Sequence, residues 1–181
     1  MFTMQPIKRL TAVLDTIADE GHYIFNVADF VPIFADISIA SLRNLFSRAV
    51  KCGLLVRMCR NVYLYPKVKY RRGFELYHVA ARLRENALCY LTMESVLSEA
   101  GFISQLPLGH ITLMTNGRSG VISCGVWGNI EFIHTKRSIE SLANDLTYDA
   151  RYGLWRANES LAIKDMQFAK RPTMELVNEY V

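Results

Sequence analysis

Apolar positions at Leu10, Val13, Leu14 and Ile17 recur at helical spacing, which predicts a first helix over 8–20 stopped by Gly21. His22-Tyr23-Ile24-Phe25 reads as a short extended piece. Asn26 is placed to cap a second helix reaching Ala35, and Pro32 requires that helix to start near Asp29 or to bend. Leu42, Leu45, Phe46 and Ala49 fall at i, i+3, i+4 and i+7, which predicts a third helix over 39–52, capped by Ser38 and ended by Gly53. Two extended runs, 54–57 and 62–65, then flank the polar corner Cys59-Arg60-Asn61, and Pro66 closes the hairpin.

The pattern changes beyond residue 73. Leu76, Tyr77, Ala80, Leu83 and Ala87 make the buried stripe of a helix over 74–86, with His78 partly exposed on it. Thr92 is expected to cap a helix over 93–100, ended by Gly101. Three antiparallel strands are expected next, at 111–115, 121–123 and 130–133, the first two joined through a hairpin turn at Asn116-Gly117-Arg118-Ser119-Gly120. Residues 146–156 hold further short strands in this reading, and Asn158 caps a helix over 159–170 that buries Leu161, Ala162 and Met166 and stops at Pro172. A short helix is expected in the tail after it. The predicted class is α+β: an N-terminal winged helix-turn-helix at 1–66, a basic linker at 67–73, and a mixed domain at 74–181 with a small antiparallel sheet and flanking helices.

Composition adds a core and excludes some classes. Half the residues (51%) are apolar, enough for packed domains and against a disordered chain. No apolar run approaches the ~20 residues of a membrane span, and the first residues lack the apolar stretch of a signal peptide, so a cytoplasmic protein is expected. The cysteines, Cys52, Cys59, Cys89 and Cys124, form no C-x-x-C pair and have no histidine at zinc spacing; thiols rather than disulfides or a metal site are expected.

Charge is what turns this pattern toward function. Residues 1–72 carry eleven Lys and Arg against five acids, and the remainder ten against twelve. From Ile37 to Phe74 nine basic residues stand with no Asp or Glu. A folded, acid-free, basic element reads as a nucleic-acid surface. On the third helix Ala40, Asn44, Ser47 and Lys51 face outward, with Ser41, Arg43 and Arg48 on the flanks. Ser41, Arg43, Asn44 and Ser47 are the candidates for base edges in a major groove. Arg48, Lys51, Arg57, Arg60, Asn61, Lys67 and Lys69 are the candidates for phosphate or wing contacts, with Arg60 also able to enter a minor groove. Tyr63 and Tyr65 on the hairpin are read as packing residues rather than base-stacking platforms. A helical reader with a wing favours duplex DNA over RNA.

No catalytic constellation emerges. There is no H-E-x-x-H, G-x-S-x-G, P-loop or dinucleotide fingerprint, and no cofactor is expected. A nuclease would need clustered acids beside a lysine; Glu131 lies on a strand without one, and Asp145, Asp149 and Asp165 are scattered. Two other readings stay open: a protein–protein adaptor with an incidental basic face, and a nuclease with a DNA-binding front end.

Several motifs together resemble the AbiEi-type antitoxins of bacterial type IV toxin–antitoxin systems. They are the string from Gly53-Leu54 through Arg57 and Asn61-Val62-Tyr63 at the wing, Tyr90-Leu91-Thr92-Met93-Glu94-Ser95-Val96-Leu97, Ile111 to Ser119 followed by Gly128-Asn129-Ile130-Glu131-Phe132, and Arg156-Ala157-Asn158-Glu159-Ser160-Leu161-Ala162-Ile163-Lys164-Asp165. Asn61 stands where the family usually has glycine, and Asn158 replaces a small-residue–proline pair. The resemblance implies a repressor of its own operon that binds inverted repeats, as two copies on neighbouring half-sites. It also implies an antitoxin counteracting a nucleotidyltransferase-type toxin without requiring a stable complex with it.

Overall fold

The computed structural model describes residues 5–103 and 109–172. The chain divides into two compact units, Met1–Gly73 and Phe74–Val181, and its class is mixed α+β with two separate sheets.

In the first unit α1 spans Pro6–Ile17 and buries Leu10 and Leu14; its proline sits in the first turn, where a missing N–H costs nothing. The helix ends at Ile17, four residues before Gly21, because the Asp19 carboxylate accepts the N–H groups of Gly21 and His22 and folds 19–22 into a turn. Strand β1, Ile24–Asn26, follows. The expected second helix is a single 3-10 turn, Val27–Phe30, succeeded by further turns to residue 36. Its start is capped, the Asp29 carboxylate accepting from the Asn26 N–H at 2.7 Å, but Pro32 has no N–H to extend it into a longer ladder. Arg9 holds this turn region against α1, donating to both Asp36 carboxylate oxygens at 2.7 and 2.8 Å and to the Ile33 carbonyl at 2.7 Å.

Helix α2 spans Ile39–Lys51, within one residue of expectation. Strands β2, Val56–Cys59, and β3, Val62–Leu64, pair antiparallel, and β1 pairs with the other side of β3, giving a three-stranded sheet of order β1-β3-β2. The core of this unit gathers Leu10, Leu14, Phe25, Phe30, Phe34, Leu42, Leu45, Phe46, Ala49, Tyr63 and Tyr65. Each leucine and phenylalanine among them, fully buried, contributes about 1.5–3 kcal/mol from apolar burial.

The second unit is built on a six-stranded sheet of order β6-β7-β5-β4-β9-β8: β4 Cys89–Leu91, β5 His110–Thr115, β6 Gly120–Ser123, β7 Asn129–His134, β8 Leu146–Asp149 and β9 Leu154–Ala157. It is larger than expected and not purely antiparallel, since β5·β7 and β4·β9 run parallel. Residues 116–120 are therefore no hairpin turn. Gly117 and Ser119 bind the end of β7, through the Gly117 carbonyl to His134 Nδ1 at 2.8 Å and Ser119 Oγ to the His134 N–H at 2.8 Å. The chain is thereby carried past β7, and β6 pairs with its far side. Burial favours this arrangement: Ile111 and Leu113 of β5 sit in register with Ile130 and Phe132 of β7, all buried, while β6 is an exposed edge.

Helix α3, Glu75–Leu83, packs on β7 and β9 and buries Leu76, Val79 and Ala80. Helix α4, Glu94–Glu99, packs on β5 and on α6, Glu159–Phe168; a short α5, Ile139–Leu142, lies between β7 and β8. Asn158 caps α6 as expected, accepting from the Leu161 N–H at 2.8 Å. Thr92 does not cap α4. The residue preceding that helix is Met93, fully buried at φ 55°, and the Thr92 hydroxyl turns inward to donate to the buried Asp165 carboxylate at 2.8 Å. The expected tail helix falls outside the described residues. Among the described residues no helix is long and apolar enough to cross a membrane.

Candidate nucleic-acid interface

Helix α2 is fixed at both ends by side chains and backbone that its own sequence supplies. Ser38 Oγ accepts the Ser41 N–H at 3.1 Å. At the other end Gly53, at φ 74°, lets its N–H reach the Val50 carbonyl and the Leu54 N–H reach the Ala49 carbonyl, a Schellman closure that needs the left-handed conformation glycine provides. Leu42, Leu45, Phe46 and Ala49 are buried, and the Phe46 ring packs edge-on against Phe30 and Tyr63 at 5.1 and 5.0 Å. The inner face locks the rotation of the helix, so its outer face is determined.

That outer face exposes Ala40, Ser41, Arg43, Asn44, Ser47, Arg48 and Lys51, and Ile39, in line with the buried Leu42 and Phe46, is exposed at the first turn. Ala40, Asn44, Ser47 and Lys51 lie at i, i+4, i+7 and i+11 along one line of the helix. The Ser41 hydroxyl lies 3.0 Å from that of Ser38, so it is already engaged in the cap. Arg43, Arg48 and Lys51 have no acidic partner among the described residues. Ile39 is not among the sequence candidates, and it is 51% exposed.

The hairpin after α2 turns at Arg60 and Asn61, both exposed. Asn61 adopts φ 63°, the left-handed region that asparagine tolerates better than most side chains, and its carbonyl accepts from Val27 at 3.4 Å. The pairing register shifts between Arg57 and Cys59, and the Arg57 Nε donates to the Cys59 carbonyl at 3.3 Å, which keeps that side chain along its own strand. Tyr63 and Tyr65 are buried and act in packing, as expected.

Residues 67–70 are attached to the first unit. Lys67 Nζ donates to Asp15 Oδ1 at 2.7 Å, and the Tyr65 hydroxyl donates to the same oxygen at 2.6 Å. These two bonds hold the Asp15 carboxyl below the usual aspartate range, while burial and the neighbouring carboxylate raise the Tyr65 phenol. Tyr70 stacks on Tyr23 with ring centroids 4.2 Å apart, and Lys69 between them is exposed.

Several charged groups of the second unit pair with one another across long stretches of sequence. Asp165, fully buried, pairs with Arg137 and accepts from Thr92, and the buried Tyr90 hydroxyl lies without a hydrogen bond of normal geometry. Glu131 pairs with Arg171 and lies 3.2 Å from His110 Nε2, and Arg171 also bonds Glu94 at 2.6 Å. These contacts join residues 21 to 77 positions apart, which a linear pattern cannot reveal. A cleft of about 700 Å³ runs along Glu99, Tyr148, Asp149, Arg151, Tyr152 and Arg156. Its charges pair with one another: Arg151 with Asp149 at 2.5 Å and Arg156 with Glu99 at 3.5 Å. Burial beside Glu99 pushes the Tyr77 phenol up to about 12, and burial does the same to the Cys89 thiol, leaving both protonated at neutral pH. Among the described residues no three His, Cys, Asp or Glu side chains are placed to hold a metal ion. No protein-family model and no curated protein sequence matches the chain.

Proposed function

We propose that the first unit is a winged helix-turn-helix that binds double-stranded DNA, with α2 as its recognition helix and the β2–β3 hairpin as its wing. The observation that carries this reading is the division of cations within the unit. Arg9 and Lys67 are committed to Asp36 and Asp15, whereas Arg43, Arg48, Lys51 and Arg60 are exposed and unmatched by any acid among the described residues. Unmatched cations beside a row of small polar side chains suit phosphates flanking a major groove, where Asn44 and Arg43 pair with base edges. A fold that needed those charges only for solubility would gain from interspersing acids, and α2 contains none.

The chain is, in this proposal, the autorepressor and antitoxin of a type IV toxin–antitoxin operon, acting in the cytoplasm against a nucleotidyltransferase-type toxin. That part is supported by the sequence resemblance and by a second unit with its own closed core. Two copies on neighbouring half-sites would match an inverted-repeat operator. Gel shifts on the DNA upstream of its gene test the first part. Neutralising about five phosphates gives a log–log salt slope of roughly −4 to −5. No binding at low salt removes it. Co-expression with the product of the neighbouring gene tests the second: growth restored by the full chain supports it, and unrelieved toxicity counts against it.

A further inference from the structure

The exposed face of α2 is graded in chemistry from end to end. Its first turn presents Ile39 and Ala40, its middle Arg43, Asn44 and Ser47, and its last turn Arg48 and Lys51. Ile39 is 51% exposed, against 41% for Val31 and 38% for Ile33, the other exposed large apolar side chains described in the first unit. A β-branched side chain held out in water contributes little to the fold from the exposed part of its surface. The first turn carries no acid, and the Ser41 hydroxyl beside it is engaged with Ser38. The surface there is apolar, with Arg43 one helical turn away.

Among the four bases only thymine presents a methyl group to the major groove; the other edges offer hydrogen-bond donors and acceptors that an isoleucine would leave unpaired. We infer that Ile39, with Ala40 beside it, reads the 5-methyl group of a thymine. This rests on the DNA-binding reading of the first unit. The unmatched cations of α2, a helix without an acid of its own, with the nearby Asp36 already paired to Arg9, favour a polyanion over an apolar protein surface as the occupant of this patch. Four to five residues of helix separate Ile39 from Arg43 and Asn44, about 6–7.5 Å. The thymine therefore lies at a different base pair from the one those residues contact.

The full chain is used to select duplexes from a random library, and each thymine of the best duplex is then replaced singly by deoxyuridine. The expected result is about a fourfold loss of affinity at one or two positions, the worth of one buried methyl group at about 0.8 kcal/mol. Ile39→Ala, folded by circular dichroism, should bind thymine and uridine duplexes equally, and Ile39→Val should keep part of the discrimination. Silent uridine substitutions, or an Ile39→Ala variant as sensitive as the parent, overturn the inference and leave DNA binding standing. So does an Ile39→Ala variant that binds DNA unchanged but loses self-association. Failure to enrich any duplex overturns both the inference and the reading beneath it.

Discussion

Lys67 Nζ is held 2.7 Å from Asp15 Oδ1, although one residue follows the hairpin and the other lies on α1. The pair is solvent-exposed, with 63% of the Lys67 side chain accessible, so it adds little to stability. Its consequence is electrostatic: the charge at Lys67 is already offset, whereas that at Lys51 is not. Lys51→Ala is expected to weaken binding to all duplexes and to reduce the salt slope by about 0.9. Lys67→Ala should change the slope by less than half as much. Equal slopes for the two variants would show that Lys67 leaves Asp15 to meet a phosphate.

Thr92 and Asp165 separate two roles that a threonine before a helix can play. A capping threonine would accept replacement by asparagine, a cap of at least equal quality. Here the hydroxyl donates to a carboxylate with no exposure, which Arg137 also pairs. Thr92→Val should therefore cost about 1–3 kcal/mol and Thr92→Asn no less, because the larger amide overfills a buried site. Arg137→Ala should cost about 3 kcal/mol by leaving a buried carboxylate without its cation. Urea midpoints measure all three, and a neutral Thr92→Asn would restore the capping role.

How much of this was legible in the sequence follows from the range of the interactions involved. Helix α2 was readable because its stripe, its Ser38 cap and its Gly53 stop are all local, and all three act as their residue types predict. The length of the first unit's second helix was not: Asn26 and Asp29 cap its start, but Pro32 cannot donate to continue the ladder and the element stays a single 3-10 turn. In the second unit the strands were located but not their partners. Alternation fixes which residues share a face and says nothing about which strand lies beside which. The parallel pairing of β5 and β7 depends on where residues 117–119 dock, at His134, fifteen to seventeen positions away. On the candidate interface, charge located the basic residues, but only the fold distinguishes Lys67, matched by Asp15, from Lys51.

Glu131 makes the acid limb of the stability curve partly assignable. Burial would raise its pKa, but hydrogen bonds from Arg171 and His110 outweigh that and hold it below the ordinary glutamate value. A folded-state pKa below the unfolded one means that the stabilisation is complete above about pH 4.3 and is lost as the pH falls through that value toward the folded pKa. Glu131→Gln should then be less stable than the parent at pH 7, and the gap should close as the pH falls from about 5 to below the ordinary glutamate value. A gap that stays constant over that window, in urea titrations at fixed ionic strength, would mean that Glu131 contributes packing rather than charge.

Gly128 occupies the one glycine position in the second unit where both conformation and space exclude a side chain. Its φ is 111°, and a Cβ there would stand 1.8 Å from the Gly109 carbonyl oxygen, well inside any contact distance. The two backbones approach so closely because the Asn129 N–H donates to that same carbonyl at 2.7 Å, which fixes the start of β7 against β5. Gly128→Ala must therefore pry apart the ends of the two central parallel strands as well as adopt a disfavoured backbone. Backbone strain of about 1–3 kcal/mol and overpacking of similar size give an expected loss of about 3 kcal/mol or more. Gly125→Ala is the control: φ there is 59°, with nothing within 4 Å of the added carbon, so only the conformational part, about 1–2 kcal/mol, should be lost. Thermal or urea unfolding of the two variants side by side measures the difference. Equal losses would place the cost in backbone conformation alone and remove the close approach as a determinant of the sheet's register.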